Sequence, residues 1–514
     1  MTTLAPSPSP SPSPPLTPSP PFGSRPTAVA DLLRTARWGT TLSLGPEDRR
    51  RMETSRASLT ALAARRPVYG LTRGFGPLVD YEADQDPHVQ GTGLLDHLTA
   101  GQGPALPPEV TRTMVLLRLR GMLLGHSAVA VEVWEALAAQ WNAGFTPVVP
   151  QDGSLSASGD LVPLAHAAQA AAGRGAAWQR TAGGDWEQVP AERALRDLGL
   201  PAVRWDARSA LAFANGTSAS LARALHNHAR LDALTRAVAV GSGHLAGLLG
   251  SSPEPYDDRL SAVRRHPGQR RAAAVIREAR DAVVHDTGAA RRLQEPYSLR
   301  CAPQVVGAVL DQLSFQGAVL ATEGEGTTDN PVFVDGDVLH GGNFHAAPVA
   351  LAGEQHMLCL HQLAYLAERQ LHLVLDPQHN GGLPPMLTPA PGRQSGLAGV
   401  QIAAGSHLGA IRQHGYPASF TPVPTNLGNQ DHVPLALNGA NAVSGALDRA
   451  WWIVASLYMA LTQYAHLGDV TPPAGIWAEL AADWIPLDRD RPLADEVADT
   501  ARRVERHFTT PRER

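Results

Sequence analysis

The sequence predicts a mainly α protein. Apolar residues recur at helical spacing along most of the chain, few segments alternate with period two, and β-branched clusters are short. With 514 residues there is enough chain to bury a large core, and length alone would give about three domains. Long helices can run through several hundred residues without a clean break, so composition is the better guide. It suggests three stretches: a tail over 1–25, an N-terminal region over 26–253, and a helical bundle over 254–514. The second boundary falls near Ser251 to Pro255, where a glycine-containing helical stretch ends in Ser-Ser-Pro-Glu-Pro.

The run from Pro6 to Pro21 alternates proline with polar residues and can bury nothing, so it reads as a disordered, polyproline-like tail. It lacks the basic start and apolar stretch of a signal peptide. Helical periodicity begins at Val110 to Leu124, with Arg112, Arg118 and Arg120 between the apolar positions, and continues at Val129 to Trp141. Further helices are expected at Ala210 to Leu249, interrupted by glycines, and at Gln269 to Val284, Pro303 to Thr322, His345 to Leu375, Gly396 to His414 and His432 to His466. Ala, Leu, Glu and Gln dominate His345 to Leu375, and no proline follows Pro348. Apolar density peaks at Ala450 to Leu461, shorter than the ~20 residues a bilayer requires, which suits a buried helix. Pro377 to Pro391 and Tyr416 to Gly428 read as loops between helices.

A net charge of -5 gives no basic footprint for nucleic acid, so the expected partners are small molecules or other copies of the chain, with no membrane association. Cys301 and Cys359 cannot build a disulfide framework in so long a chain, which suits a reducing cytoplasm. The 20 histidines show no His-Glu-x-x-His, and His226 and His228 fall on different helix faces, so no metal is expected.

The chemistry concentrates at Gly153-Ser154-Leu155-Ser156-Ala157-Ser158-Gly159-Asp160-Leu161-Val162-Pro163-Leu164. Taken alone, Ser-Gly-Asp before an apolar run is an ordinary loop-to-helix junction, with Asp160 as N-cap and Pro163 in the first turn. Ala-Ser-Gly can also react with itself. The unhindered Gly159 nitrogen can close on the Ala157 carbonyl, and dehydration of Ser158 then leaves an exocyclic methylene. Protein side chains supply nucleophiles, acids and bases, so an electron sink is otherwise recruited as a metal or cofactor. The stretch resembles the one that forms the methylidene-imidazolone of the aromatic amino-acid ammonia-lyases, a family of histidine, phenylalanine and tyrosine lyases and aminomutases.

That resemblance implies an ammonia-lyase/fumarase-like long-helix bundle, with a smaller α-rich N-terminal region carrying an active-site loop. It also implies a 4-methylidene-imidazol-5-one made from Ala157, Ser158 and Gly159, no metal or diffusible cofactor, and a homotetramer whose sites each draw on three subunits. Tyr69-Gly70-Leu71-Thr72-Arg73-Gly74-Phe75-Gly76 is similar to the family loop whose tyrosine removes the β-proton. A phenol titrates near ~10, so Tyr69 would need donating or positive neighbours to act as base. Asn215-Gly216-Thr217 resembles the segment that holds the substrate amine and the ring. Gln294-Glu295-Pro296-Tyr297-Ser298-Leu299-Arg300 resembles the one whose arginine grips the substrate carboxylate and whose tyrosine lines the reacting centre. Asp329-Asn330-Pro331, the Gly341 to His345 run with Phe344, and Asn429-Gln430-Asp431 also match, in the family's order, and the likeness covers roughly Ala28 to Leu467.

His97-Leu98 falls at the family's selectivity position and resembles tyrosine lyases, where the imidazole is available to a phenolic hydroxyl; Gln430 agrees with aromatic substrates. Thr72-Arg73 departs from the more usual Asn-Thr, Ala207-Arg208-Ser209 departs from the usual approach to Asn215, and Asp431-His432 is similar to histidine lyases. The expected activity is non-oxidative elimination of ammonia from L-tyrosine or a related aromatic amino acid. The alternatives are a histidine ammonia-lyase, an aromatic 2,3-aminomutase and a non-catalytic helical pseudoenzyme.

Overall fold

The computed structural model describes residues 28–283, 285, 293–420 and 424–510, so the Pro/Ser tail lies outside the described residues. Long helices form the body: Ser218–Leu248, Pro267–Asp281, Ala302–Glu325, Ala347–Leu375, Ala398–His414 and Ala436–Leu467. Ala436–Leu467 lies at the centre because from Ala450 to Ala465 it is apolar and buried almost all round. Trp451, Ile453, Val454, Leu457, Tyr458, Leu461 and Tyr464 are all buried on it, and it packs along Ala347–Leu375, Ser218–Leu248 and Ala398–His414. Pro267–Asp281 lies against Ser218–Leu248 so closely that a Cβ at Gly243 would stand 2.4 Å from the Ile276 carbonyl oxygen. Only glycine permits that crossing.

Shorter helices make up the N-terminal region, among them Pro87–Leu98, Pro108–Leu123, Val131–Asn142, Leu161–Ala171 and Ala207–Ala214. Two of the arginines interleaved in the Pro108–Leu123 pattern are buried structural groups. The Arg112 guanidinium stacks 3.6 Å from the Trp141 ring centroid and donates to the Trp141 and Ala36 carbonyls. Arg118 donates to the Ala212 and Asn215 carbonyls at the C-terminal end of Ala207–Ala214, where a cation complements the helix dipole. Among the described residues the strand content is three small antiparallel sheets, the largest pairing Thr146–Pro147, Ala176–Arg180 and Trp186–Pro190.

Among the described residues most buried apolar side chains fall into two large clusters, one following the long helices and one in the N-terminal region. The second also takes in Val349, Ala350, Ala436 and Leu437. The N-terminal ends of Ala347–Leu375 and Ala436–Leu467 are therefore driven into the N-terminal region, and this insertion builds the site.

Some apolar surface stays uncovered. Leu351, Leu358 and Tyr365 repeat at seven-residue spacing on Ala347–Leu375, and all three are exposed. Among the described residues, Ala302–Glu325 is the one helix long and apolar enough to cross a membrane by length and composition, yet only 39% of its apolar window is buried.

Candidate active site

The loop from Gly153 to Asp160 is gripped from several helix starts at once. Ser156 takes a left-handed conformation (φ 55°), which turns its carbonyl to accept from Ala346 N at 3.2 Å and its hydroxyl oxygen to accept from Leu437 N at 3.2 Å. Leu435 N donates to the Leu155 carbonyl at 3.0 Å. Asp160 occupies the N-cap position of Leu161–Ala171, but its side chain does not cap that helix as the sequence suggested. It caps a different one. Its fully buried carboxylate accepts from Ser220 N at 2.7 Å, in the first turn of Ser218–Leu248, and from the hydroxyls of Ser220, Ser154 and Ser156 at 2.8 to 2.9 Å. Burial pushes the Asp160 carboxyl upward and these donors pull it back. Four helix N-termini thus converge on this loop, at Leu161, Ser218, Ala347 and Ala436, and their dipoles favour negative charge there.

Gly159 has φ 71°, and a Cβ on it would lie 2.4 Å from Gly216 N. No other residue fits, and its amide nitrogen is left unhindered. Ala157 is buried against Val433 and Leu435. Asn215 lies between Ala207–Ala214 and Ser218–Leu248, where glycine interrupts the helical stretch expected over Ala210 to Leu249. Its Nδ2 donates to the Ser158 carbonyl at 2.6 Å, and its Oδ1 accepts from Asn330 N at 2.7 Å. Gln430 Nε2 donates to Ser158 Oγ at 2.9 Å. A glycine with no room for a side chain, a serine held at both its carbonyl and its hydroxyl, and a surround of helix starts fit the ring that Ala157, Ser158 and Gly159 would form.

Above Ser158 lies a cavity of about 500 Å³ whose lining includes Tyr69, His97, Leu98, Asn215, Phe344 and Gln430, so the structure brings these sequence-predicted residues together. Phe75, Leu94, Leu161 and Leu211 supply apolar wall. Asn330, Asn426 and Asn429 add carboxamides; Asn426 was not singled out from the sequence, because an asparagine in a glycine-containing loop reads as a turn. Tyr69 is half-buried, and its hydroxyl oxygen accepts from Gly76 N at 2.7 Å within the same loop. Burial raises its pKa above the ordinary phenol value and the Gly76 N–H works in the opposite direction. His97 sits in the last turn of Pro87–Leu98 with Nδ1 3.0 Å from the Gly93 carbonyl. A carbonyl only accepts, so the ring proton is on Nδ1 and a neutral His97 keeps Nε2 as an acceptor.

Gln294, Tyr297 and Arg300 do not line this cavity. Arg300 Nε donates to the Glu295 carbonyl at 2.8 Å, and its guanidinium lies 4.5 Å from the centroid of the Tyr297 ring, which is 70% exposed. The neighbouring Ser298 carbonyl accepts from Gln370 Nε2 at 2.9 Å. Gln370 is about 35 Å along its helix from Ala347, at the cavity end, by the 1.5 Å rise per residue. Within one chain, then, the predicted carboxylate-binding residues and the Ser158 cavity stand at opposite ends of the same helix.

The family model for aromatic amino acid lyases matches residues 27–482. The chain is 39% identical to a tyrosine ammonia-lyase of Cereibacter sphaeroides, over 90% of this chain and 92% of that one. It is 35% identical to a histidine ammonia-lyase of Sorangium cellulosum, over 94% and 96%. The crystal structure of a tyrosine aminomutase from Streptomyces globisporus superposes with a TM-score of 0.87 at 29% identity, covering 95% of this chain and 97% of that chain. With the helix-start cradle and the match across nearly the whole described fold, the chain belongs to the aromatic amino acid lyase family.

Proposed function

We propose that this protein is an ammonia-lyase that eliminates ammonia, without oxidation, from L-tyrosine or a related aromatic amino acid, leaving a trans-cinnamate-type acid. The observation that carries the reading is the Ala157-Ser158-Gly159 turn, with Asn215 on its carbonyl and Gly159 pressed against Gly216. A 4-methylidene-imidazol-5-one formed from these three residues supplies an electrophile that turns the substrate amine into a better leaving group. The chain's own side chains do the rest. Tyr69 takes the β-proton; burial works against its ionised form, and the Gly76 N–H offsets part of that. Asn215 places a donor at 2.6 Å from the Ser158 carbonyl oxygen, a fixed dipole where negative charge collects.

For substrate choice, His97 Nε2 is an acceptor at the cavity wall, suited to a phenolic hydroxyl. A site holding such a group discriminates strongly against an analogue that leaves it unpaired. Identity to a tyrosine lyase supports the same choice. The substrate carboxylate is bound by Arg300, beside Tyr297 and Gln294, supplied by another copy of the chain in a homotetramer. The separation of about 35 Å within one chain and the uncovered stripe at Leu351, Leu358 and Tyr365 support that assembly.

A second reading, an aromatic 2,3-aminomutase, is favoured by the likeness to the tyrosine aminomutase structure. One experiment separates the readings. The purified enzyme is incubated with tyrosine, phenylalanine and histidine side by side, and each product mixture is assayed for the unsaturated acid and the β-amino acid. The lyase reading expects the unsaturated acid from tyrosine in excess. Urocanate-type product from histidine alone, or β-tyrosine as the main product, would replace it.

A further inference from the structure

The Tyr69 loop is fastened at its start to a histidine that lies outside the cavity lining. Tyr69 N donates to His340 Nε2 at 3.2 Å, across 271 positions of sequence. His340 follows the hairpin Val332–Val334 with Asp337–Leu339, and the next residue is fixed in turn, because Gly341 N donates to Asn330 Oδ1 at 2.7 Å. Asn330 N reaches Asn215 Oδ1, and the preceding Asp329 is locked by a fully buried ion pair with Arg208 at 2.7 Å. A continuous run of hydrogen bonds therefore links Asn215, on Ser158, to the backbone of Tyr69. His340 is the one titratable side chain through which that run passes.

We propose that His340 is a positioning residue: its neutral Nε2 latches the Tyr69 loop to the turn that carries Asn330 and Asn215, and protonation of the ring releases it. The proposal rests on Tyr69 being the base. An imidazolium has a proton on both nitrogens and cannot accept from Tyr69 N. The charged groups facing the ring are Arg66, which pairs with Asp337, and Arg208, which pairs with Asp329. The His340 ring is exposed at its rim; its partial desolvation first, and then these two guanidinium groups, hold it below the ordinary histidine value, which keeps the latch shut at neutral pH. Because the latch orders the loop and touches no substrate, its loss acts on kcat more than on KM.

The test is the pH dependence of kcat with L-tyrosine for the wild type, His340→Gln, His340→Leu and Tyr69→Phe. Glutamine offers an acceptor oxygen that does not titrate. The wild type is expected to lose kcat on the acid side, and His340→Gln to keep kcat at pH 8 within about threefold of wild type without that acidic fall. His340→Leu is expected to lose about tenfold to a hundredfold in kcat at every pH, as misplacement of a reacting group does. Coincident acid limbs for wild type and His340→Gln, together with an unchanged kcat in His340→Leu, would overturn the latch. Full activity in Tyr69→Phe would instead overturn the role of Tyr69 and is read separately.

Discussion

Asn215 and Ser158 are joined by a 2.6 Å hydrogen bond from the asparagine amide to the serine carbonyl, and the asparagine's own carbonyl oxygen accepts from Asn330 N at 2.7 Å. The pairing fixes which way the amide points. In Asn215→Ala the donor is gone while the helix starts around the loop are untouched. The loss of one preorganised donor costs about 10²–10³ in kcat, and steady-state kinetics on the purified variant checks it.

Gly159→Ala places a Cβ 2.4 Å from Gly216 N on a backbone with φ 71°. The turn cannot keep its shape, so activity is lost. Intact mass should remain at the full encoded value while circular dichroism retains the helical signal; a variant that still loses two waters would show that the close approach is not required.

His97→Phe removes the acceptor at the cavity wall and adds apolar surface. The ratio of kcat/KM for tyrosine over phenylalanine is expected to fall at least about tenfold, measured with the two substrates in parallel. An unchanged ratio would remove His97 from substrate choice.

Arg300→Ala and Ser158→Ala should each be inactive alone. If the cavity of one chain is completed by Arg300 of another, co-expression of the two variants restores part of the activity, because mixed assemblies contain intact composite sites. No recovery in verified mixed assemblies would contradict a shared site.

Histidines shielded from solvent contribute to the acid limit of stability; His226, His244 and His356 are three of them, and burial holds His356 well below the ordinary histidine value. Burial lowers His226 and His244 to about 4, so the folded chain keeps them neutral while the unfolded chain protonates near the ordinary histidine value. Their contribution is complete above that value and is lost as pH falls from about 6.5 toward 4, each by about 3 kcal/mol at most. Urea unfolding at pH 7 and pH 5 measures the loss, and His244→Gln should reduce it.

Most of the helical frame was legible in the sequence, because the long helices bury continuous apolar stripes. Pro303 to Thr322 and His345 to Leu375 were each placed within a few residues of the observed ends. The strand pair Ala176–Arg180 with Trp186–Pro190 was not, since only Ala177 and Val189 of its residues are buried and Trp186 packs against Trp38 near the surface. Asp160 read as the cap of its own helix because local spacing cannot show that Ser220, 60 residues later, offers a better-placed amide. His340 escaped notice for the same reason, its partner being 271 residues away. The positions of Tyr297 and Arg300 show a different limit: a motif names residue types and does not show that the fold carries them to the end of Ala347–Leu375 opposite the Ser158 cavity.

The most direct measurement is the intact mass of the freshly purified wild-type chain, with Ser158→Ala beside it. Ring closure predicts a wild-type chain lighter than its encoded mass by two waters and a Ser158→Ala chain that is not. A folded wild-type chain at its full encoded mass would contradict the electrophile on which the proposed chemistry depends.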